Sequence, residues 1–166
     1  MISTRVIGAA FAAAALLLGS ACKSDAGTSA SSPAGMSQLQ VTITSSNGPH
    51  KFSVELAKTG PQQERGLMYR TGIPADSGML FAPYPAEGGG PKEASFWMEN
   101  TPSPLDILFI RPDGTIARIA ENTVPFSQDR IQSGEPVSAV LEINGGRAAE
   151  LGIAEGDRVS WAGQGG

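Results

Sequence analysis

Alternating apolar and polar residues predict two β-hairpins in this chain. Residues 39–44 alternate strictly, and the alternation returns at residues 52–56 after a turn that contains Asn47 and Gly48, so residues 39–57 are predicted to form the first hairpin. The second is predicted over residues 105–119, where an Arg-Pro-Asp-Gly turn separates two apolar runs. Paired hairpins of this kind are typical of antiparallel β proteins.

The rest of the pattern adds short elements separated by breaks. Further apolar runs predict strands at residues 78–81, 95–98, 137–143 and 158–161. Two short helices are predicted at residues 61–69 and 145–152, and residues 82–93 and 122–136 are predicted to be loops. The whole predicts a mainly β fold: a single compact β-sandwich or small barrel of about seven or eight short strands with two short helices.

Composition and charge narrow the class of protein. The chain has 21 glycines and 12 prolines among 166 residues, and because both residues interrupt helix interiors we exclude a helical bundle. Its 40% content of hydrophobic residues is too high for a wholly disordered chain. The net charge of -4 gives no electrostatic footprint for nucleic acid, so no nucleic-acid partner is expected.

The first 21 residues have the pattern of an export signal. Arg5 precedes an apolar run over residues 6–18, which is shorter than the roughly 20 residues of a membrane-spanning helix. Gly19, Ser20 and Ala21 supply the small residues of a cleavage site. Residues 1–21 are therefore predicted to be a signal peptide, and the mature protein is predicted to be exported to the periplasmic side of a bacterial membrane.

Cys22 is the only cysteine, which excludes an intramolecular disulfide. The segment Leu18-Gly19-Ser20-Ala21-Cys22 resembles the lipobox of bacterial lipoproteins, although its large aliphatic residue lies one position earlier than usual. The resemblance implies an acyl anchor on Cys22 in the lipid bilayer; the alternative is simple cleavage and a soluble periplasmic protein. Residues 22–37 are expected to be a flexible tether, and residues 38–166 a single β domain.

Seven short motifs, in a fixed order along the chain, give a second resemblance, this time to a protein family. The motifs are ERGLMYR at 64–70, GMLF at 78–81, FWMENT at 96–101, PLDILFI at 104–110, VLE at 140–142, GI at 152–153 and GD at 156–157. Together they resemble the bacterial and archaeal family called domain of unknown function 192, over residues 50 to 160. The resemblance implies a mainly β fold. It implies no activity, because the family has none assigned.

The usual catalytic residues are missing from the sequence. His50 is the only histidine and is predicted to be a turn residue, so neither a catalytic triad nor a histidine-rich metal site is predicted. No serine has a nucleophile-elbow context, and the glycines at 88–90 lack the features of a phosphate loop. We expect no cofactor and no metal. Trp97 is predicted to be either a core residue or a stacking platform for a sugar.

Asp106 is the most informative polar residue in the predicted strands. It interrupts a strand that is apolar on both faces, so it is predicted to be buried and to require a partner. Arg65 and Arg70, which the family resemblance brings into the same motif set, are the expected partners in a buried ion pair. Alternatively, these residues line a recess for a small polar or anionic ligand, with Asn100 and Thr101 adding contacts.

Three functions remain open from the sequence. The first is a non-catalytic binding or accessory module of the cell envelope, with a recess lined by Arg65, Arg70, Asn100, Thr101 and Asp106. The second is a carboxylate-dependent hydrolase acting on envelope carbohydrate, with Asp106 and either Glu99 or Glu142 as its acids. The third is a purely structural or interaction scaffold. The missing catalytic residues favour the first.

Overall fold

Residues 35–164, the part of the chain that the computed structural model describes, form nine β-strands and two short α-helices. The strands are β1 (Ser37–Ser45), β2 (Gly48–Ala57), β3 (Ser77–Phe81), β4 (Lys92–Phe96), β5 (Leu105–Ile110), β6 (Ile116–Ala120), β7 (Ile131–Val137), β8 (Ala139–Asn144) and β9 (Arg158–Trp161). The helices are α1 (Gly60–Arg65) and α2 (Arg147–Leu151). The predicted signal peptide and most of the predicted tether lie outside the described residues.

Seven of these strands form one curled sheet. Their order is β6-β5-β8-β3-β2-β1-β9, and every pair is antiparallel except β2 with β3. The sheet bends into a half-barrel, because its two edges meet at a bridge between Thr115 and Arg158. The remaining strands, β4 and β7, pair antiparallel as a separate ribbon.

The curled sheet is covered on both faces by apolar side chains. All seven strands and α2 contribute to one cluster, which includes Phe52, Leu108 and Leu141. Residues that alternate with these on β3, β5 and β8 form a second cluster with the β4–β7 ribbon, which includes Met79 and Phe96. Since side chains alternate between faces along a strand, the two clusters lie on opposite faces of the sheet. Sequence reasoning left sandwich and barrel open, and the fold is a half-barrel with a ribbon against its second face.

Both predicted hairpins and the last strand are confirmed. β1 and β2 pair in a register that places Val41 opposite Phe52, and β5 pairs with β6. Helix α2 ends at Gly152, whose left-handed φ of 65° suits glycine, as predicted. Helix α1 is shorter than the predicted helix over 61–69, because Gly66 takes a φ of 47° and ends it. Neither helix within residues 35–164 is long and apolar enough to cross a membrane.

The ribbon is where the sequence prediction was wrong. Residues 122–136 were expected to be irregular, yet β7 runs through Gly134 and Pro136. Proline lacks a donor for the sheet and is tolerated in an edge strand, which both strands of a two-stranded ribbon are. The predicted strand 137–143 therefore spans the end of β7 and most of β8, with Ser138 between them. Similarly, β4 begins inside the loop predicted over 82–93 and ends before Trp97.

Candidate functional site

A cavity of about 560 Å³ opens between α1, the loop after β3 and the β4–β7 ribbon. Its wall includes four aromatic side chains, Phe81, Tyr84, Phe96 and Trp97. Glu142 of β8 lines the cavity and is buried. We call this space the Glu142 cavity.

Glu142 lies in the middle of the sheet. Strand β8 is flanked by β3 and β5, which place Met79 and Ile107 directly opposite Glu142. Its side chain shares a face with Val140, so it projects into the second apolar cluster rather than into solvent. Only 5% of the residue is exposed, although it contributes to the lining of the cavity.

The Glu142 carboxyl group has no hydrogen-bond or ion-pair partner among residues 35–164. Burial disfavours the ionised form and raises the pKa of Glu142 to about 8. At neutral pH the group is therefore mainly a neutral acid, which is able to donate a hydrogen bond or to give up its proton to pair with a cation. Perturbed, buried acids in cavities are enriched at functional sites.

The aromatic wall begins beside this carboxyl group. Phe81 is the diagonal cross-strand neighbour of Glu142, within reach of its side chain. The Phe81 and Phe96 rings meet edge to face with their centroids 5.1 Å apart, and Tyr84 lies 5.8 Å from Phe96. The buried end of the cavity is thus an apolar aromatic surface with one acidic group.

The mouth of the cavity carries mixed charge. The Arg130 guanidinium lies 4.0 Å from the centre of the Trp97 ring, which leaves Trp97 half-buried with one face covered by a cation. Four further exposed charged residues line the cavity: Glu64, Arg65, Glu87 and Lys92. The mouth is polar, in contrast to the aromatic interior.

The predicted site residues fall at different places. Arg65 and Thr101 line the Glu142 cavity. Asn100 precedes Thr101, and its carbonyl oxygen accepts a 2.7 Å bond from the Tyr69 N–H. Arg70 lines a second cavity of about 240 Å³, where its guanidinium forms a two-pronged ion pair with Glu55.

Asp106 forms no ion pair with Arg65 or Arg70, contrary to prediction. One carboxylate oxygen accepts hydrogen bonds from the backbone N–H groups of Asn122 at 2.7 Å and Gly146 at 2.9 Å, and the other accepts from Ala148 at 2.7 Å. These donors satisfy the fully buried carboxylate without a cation. Asp106 is buried as expected, but it joins the β5 strand to the start of α2.

The two acids proposed for a hydrolase do not share a cleft. Asp106 shares a face of β5 with Leu108, in the first apolar cluster, whereas Glu142 projects from the opposite face of the sheet. Glu99 does not line the Glu142 cavity. Asp106 therefore cannot act together with Glu142 on one substrate in this fold.

Comparison with models of known protein families shows the family to which the chain belongs. The model of domain of unknown function 192 (DUF192), described as "Uncharacterized ACR", matches residues 41–161. The chain belongs to the DUF192 family. The match runs from β1 to β9 and confirms the resemblance seen in the motifs. Four of those motifs supply the cavity with Arg65, Phe81, Trp97 and Glu142.

Two solved structures resemble this DUF192 chain closely. A protein of unknown function from Novosphingobium aromaticivorans is 44% identical, covering 77% of this chain and 88% of its own, with a TM-score of 0.72. A proposed transcription regulator from Sinorhizobium meliloti is 43% identical, covering 80% of this chain and 99% of its own, with a TM-score of 0.73. No curated protein matches the chain.

Sequence reasoning named Glu142 only as a secondary acid of this DUF192 domain and did not select Arg130. The signal for Glu142 was present, because a lone acid in a central apolar strand requires a partner. Arg130 carries no such signal, since only the folded ribbon brings it onto Trp97. Residues 35–164 hold no group of three or more His, Cys, Asp or Glu side chains placed to bind a metal ion.

Proposed function

We propose that this DUF192 protein is an exported, lipid-anchored component of the bacterial cell envelope whose domain binds a small ligand without catalysing its conversion. The observation that carries the proposal is the Glu142 cavity, about 560 Å³ in volume, which ends at a buried acid without a partner among the described residues. Burying such a group costs folding free energy. A role in binding a ligand, which would complete the hydrogen bonds of the Glu142 carboxyl group, would account for this cost.

The arrangement of acids favours binding over hydrolysis. Hydrolysis of a glycosidic bond ordinarily requires two carboxyl groups that flank the bond. Asp106 is engaged by three backbone donors on the other face of the sheet, and Glu64 and Glu87 are exposed at the cavity mouth. Glu142 is the one deeply buried acid among the described residues that line the cavity.

Export and anchoring rest on the first 22 residues. The Arg5 charge, the apolar run and the segment that ends at Cys22 support a lipoprotein-type signal. Export by such a signal would separate the protein from DNA. The net charge of -4 also gives the protein no electrostatic attraction to DNA. The role in transcription suggested for the Sinorhizobium relative is therefore not proposed for this chain.

Ligand binding is tested with a thermal-shift screen of a metabolite library against the mature protein. We expect at least one compound to raise the melting temperature, and Glu142→Gln to abolish that shift. Glu99→Gln is the matched control, since Glu99 lies outside the cavity lining, and it should leave the shift unchanged. A library without hits, or hits that are insensitive to Glu142→Gln, would contradict the proposed site.

The anchor is tested by metabolic labelling with a palmitate analogue and by cell fractionation. We expect wild-type protein to carry the label and to sediment with membranes, while Cys22→Ser loses the label. Unlabelled wild-type protein in the periplasmic fraction would indicate simple cleavage, and wild-type protein in the cytoplasm would overturn the export proposal.

A further inference from the structure

The buried end of the Glu142 cavity restricts the chemistry of a ligand. Its lining combines the carboxyl group of Glu142 with the apolar side chains of Leu67, Phe81 and Phe96, all of them buried. Thr101 is also buried there, but its hydroxyl already donates to the carbonyl oxygen of Glu99 at 3.2 Å. A ligand that reaches the floor thus meets one free polar group within an apolar surface.

This distribution disfavours a sugar. A sugar carries hydroxyl groups around its ring, and those facing Leu67, Phe81 and Phe96 would be left without hydrogen-bond partners. It equally disfavours an anionic group at the floor, which would be desolvated beside an acid. The remaining class is a molecule with one hydrogen-bonding head and an apolar body.

A protonated amine fits this requirement better than a neutral head. Its N–H groups supply the donors that an ionised carboxylate needs, and its charge pairs with that of the carboxylate. Aromatic rings attract a cation through their faces, and Phe81 and Phe96 lie beside the floor. The carboxylate and the aromatic rings act on the ammonium group, and the apolar wall contacts the body of the ligand.

We infer that the Glu142 cavity binds a primary amine with an apolar body, whose ammonium group is hydrogen-bonded to Glu142 and whose hydrocarbon part packs against Phe81 and Phe96. The inference rests on the proposed ligand-binding function and deepens it by naming the class of ligand. It does not depend on export or on the lipid anchor.

Binding of an amine at this site must release a proton. The pKa of Glu142 is about 8, so at pH 6 to 7 the free protein holds the carboxyl proton, and pairing with an ammonium group sends that proton to solvent. The other charged or titratable groups that line the cavity are Glu64, Arg65, Tyr84, Glu87, Lys92 and Arg130. The pKa of Tyr84 is raised by burial, away from this range. The affinity for an amine should therefore rise about tenfold from pH 6 to pH 7, rise more gradually towards pH 8, and then level off.

The experiment compares three probes of matched shape, benzylamine, benzyl alcohol and benzoate, by isothermal titration calorimetry on the mature protein. We expect benzylamine to bind, with an affinity that increases about tenfold from pH 6 to pH 7 and with release of about one proton per ligand, measured in buffers of different ionisation enthalpy. Glu142→Gln, checked for its fold by circular dichroism, should abolish the pH-dependent binding of benzylamine and the proton release. Glu99→Gln should change neither the binding nor the proton release.

The outcomes separate the ligand class from the proposed function. Binding of benzyl alcohol or benzoate in preference to benzylamine would overturn the amine inference and leave the binding function intact. Benzylamine binding that Glu142→Gln leaves unchanged would overturn it as well. Absence of binding for all three probes at millimolar concentration would also overturn it, and the independent library screen would then decide whether the cavity binds ligands at all.

Discussion

At the scale of single residues, two buried acids of one sheet have opposite environments. Three backbone N–H groups surround the Asp106 carboxylate, so its charge is compensated without a cation. Glu142 faces Met79 and Ile107 across its neighbouring strands and has no such donors among the described residues. Asp106 therefore contributes to the fold, whereas Glu142 costs folding free energy and is available to a ligand.

Replacement of Glu142 by Gln should change how stability depends on pH. The pKa of Glu142 is raised from 4.5 to about 8 by burial, so the folded state binds more protons than the unfolded state between these values. The unfolding free energy of wild type should then fall relative to Glu142→Gln as pH rises from about 4.5 to 8, by up to about 5 kcal/mol. Urea unfolding at pH 4.5, 6.5 and 8.5 measures the difference. Parallel pH profiles would mean that the carboxyl group is hydrated.

The sequence could predict that a buried acid in an apolar strand is unusual, but not that Asp106 is satisfied by backbone donors while Glu142 has none among the described residues. A carboxyl group within an apolar strand needs a partner, and this rule applied equally to Asp106 and Glu142. The donors to Asp106 come from residues 122, 146 and 148, which approach it only after two loops have folded. Local spacing contains no information about such contacts, and the arginines of the same motif set were the wrong partners.

At the scale of elements, Asp106 is the connection between β5 and α2. The helix has five residues and would be unstable by itself, because short helices depend on tertiary contacts. The Asp106 carboxylate accepts hydrogen bonds from the N–H of Gly146, which precedes α2, and from the N–H of Ala148 in the first turn of α2. The carboxylate thereby holds the start of the helix against the sheet.

Removal of this carboxylate should destabilise the domain. Asp106→Ala removes the acceptor of three N–H groups, of which that of Ala148 is buried, and should cost roughly 3 kcal/mol in urea unfolding. Asp106→Asn keeps one acceptor and should cost less. The exposed Asp129 gives the control Asp129→Asn, which should change stability by no more than about 0.5 kcal/mol. Amides 146 and 148 should exchange with solvent faster in Asp106→Asn. A cost no larger than that of the control would refute this role.

Elements with local signals were predictable, and elements defined by tertiary pairing were not. The β1–β2 and β5–β6 hairpins have alternating residues around strong turn sequences, which specify both strands and their pairing. The β4–β7 ribbon joins segments about 40 residues apart, and β7 contains Gly134 and Pro136. Its stability comes from packing on the sheet, as the burial of Ala94 and Val137 in the second cluster shows.

At the scale of the whole molecule, the main core and the Glu142 cavity lie on opposite faces of the half-barrel. The cluster shared by all seven strands fills one face of the sheet, and the Glu142 cavity lies on the other face beneath the ribbon. Closure of the sheet depends on the seam between its edges, where the Val159 N–H donates to the Gly114 carbonyl oxygen at 2.8 Å. The Ile116 N–H donates to the Asp157 carbonyl oxygen at 2.9 Å in the same seam.

Alanine at Gly114 should open this seam. A Cβ atom there would lie 3.0 Å from the Val159 carbonyl oxygen and 2.8 Å from the Gln164 side-chain nitrogen, and the φ of 84° adds strain. Gly134 is a matched control, because its φ of 80° imposes the same strain while a Cβ atom would meet nothing within 4 Å. Both substitutions should cost about 1 kcal/mol for the left-handed backbone, and Gly114→Ala should cost a further 1 to 2 kcal/mol, roughly the cost of overpacking.

Hydrogen exchange tells a seam effect from a general loss of stability. In Gly114→Ala the amides of Ile116 and Val159 should exchange faster than those of the interior strand β8, because β9 must move away from Gly114 while the rest of the sheet keeps its pairing. In Gly134→Ala the seam amides should remain as protected as in wild type. Equal costs and equal exchange in the two variants would show that closure of the sheet does not depend on a close approach at Gly114.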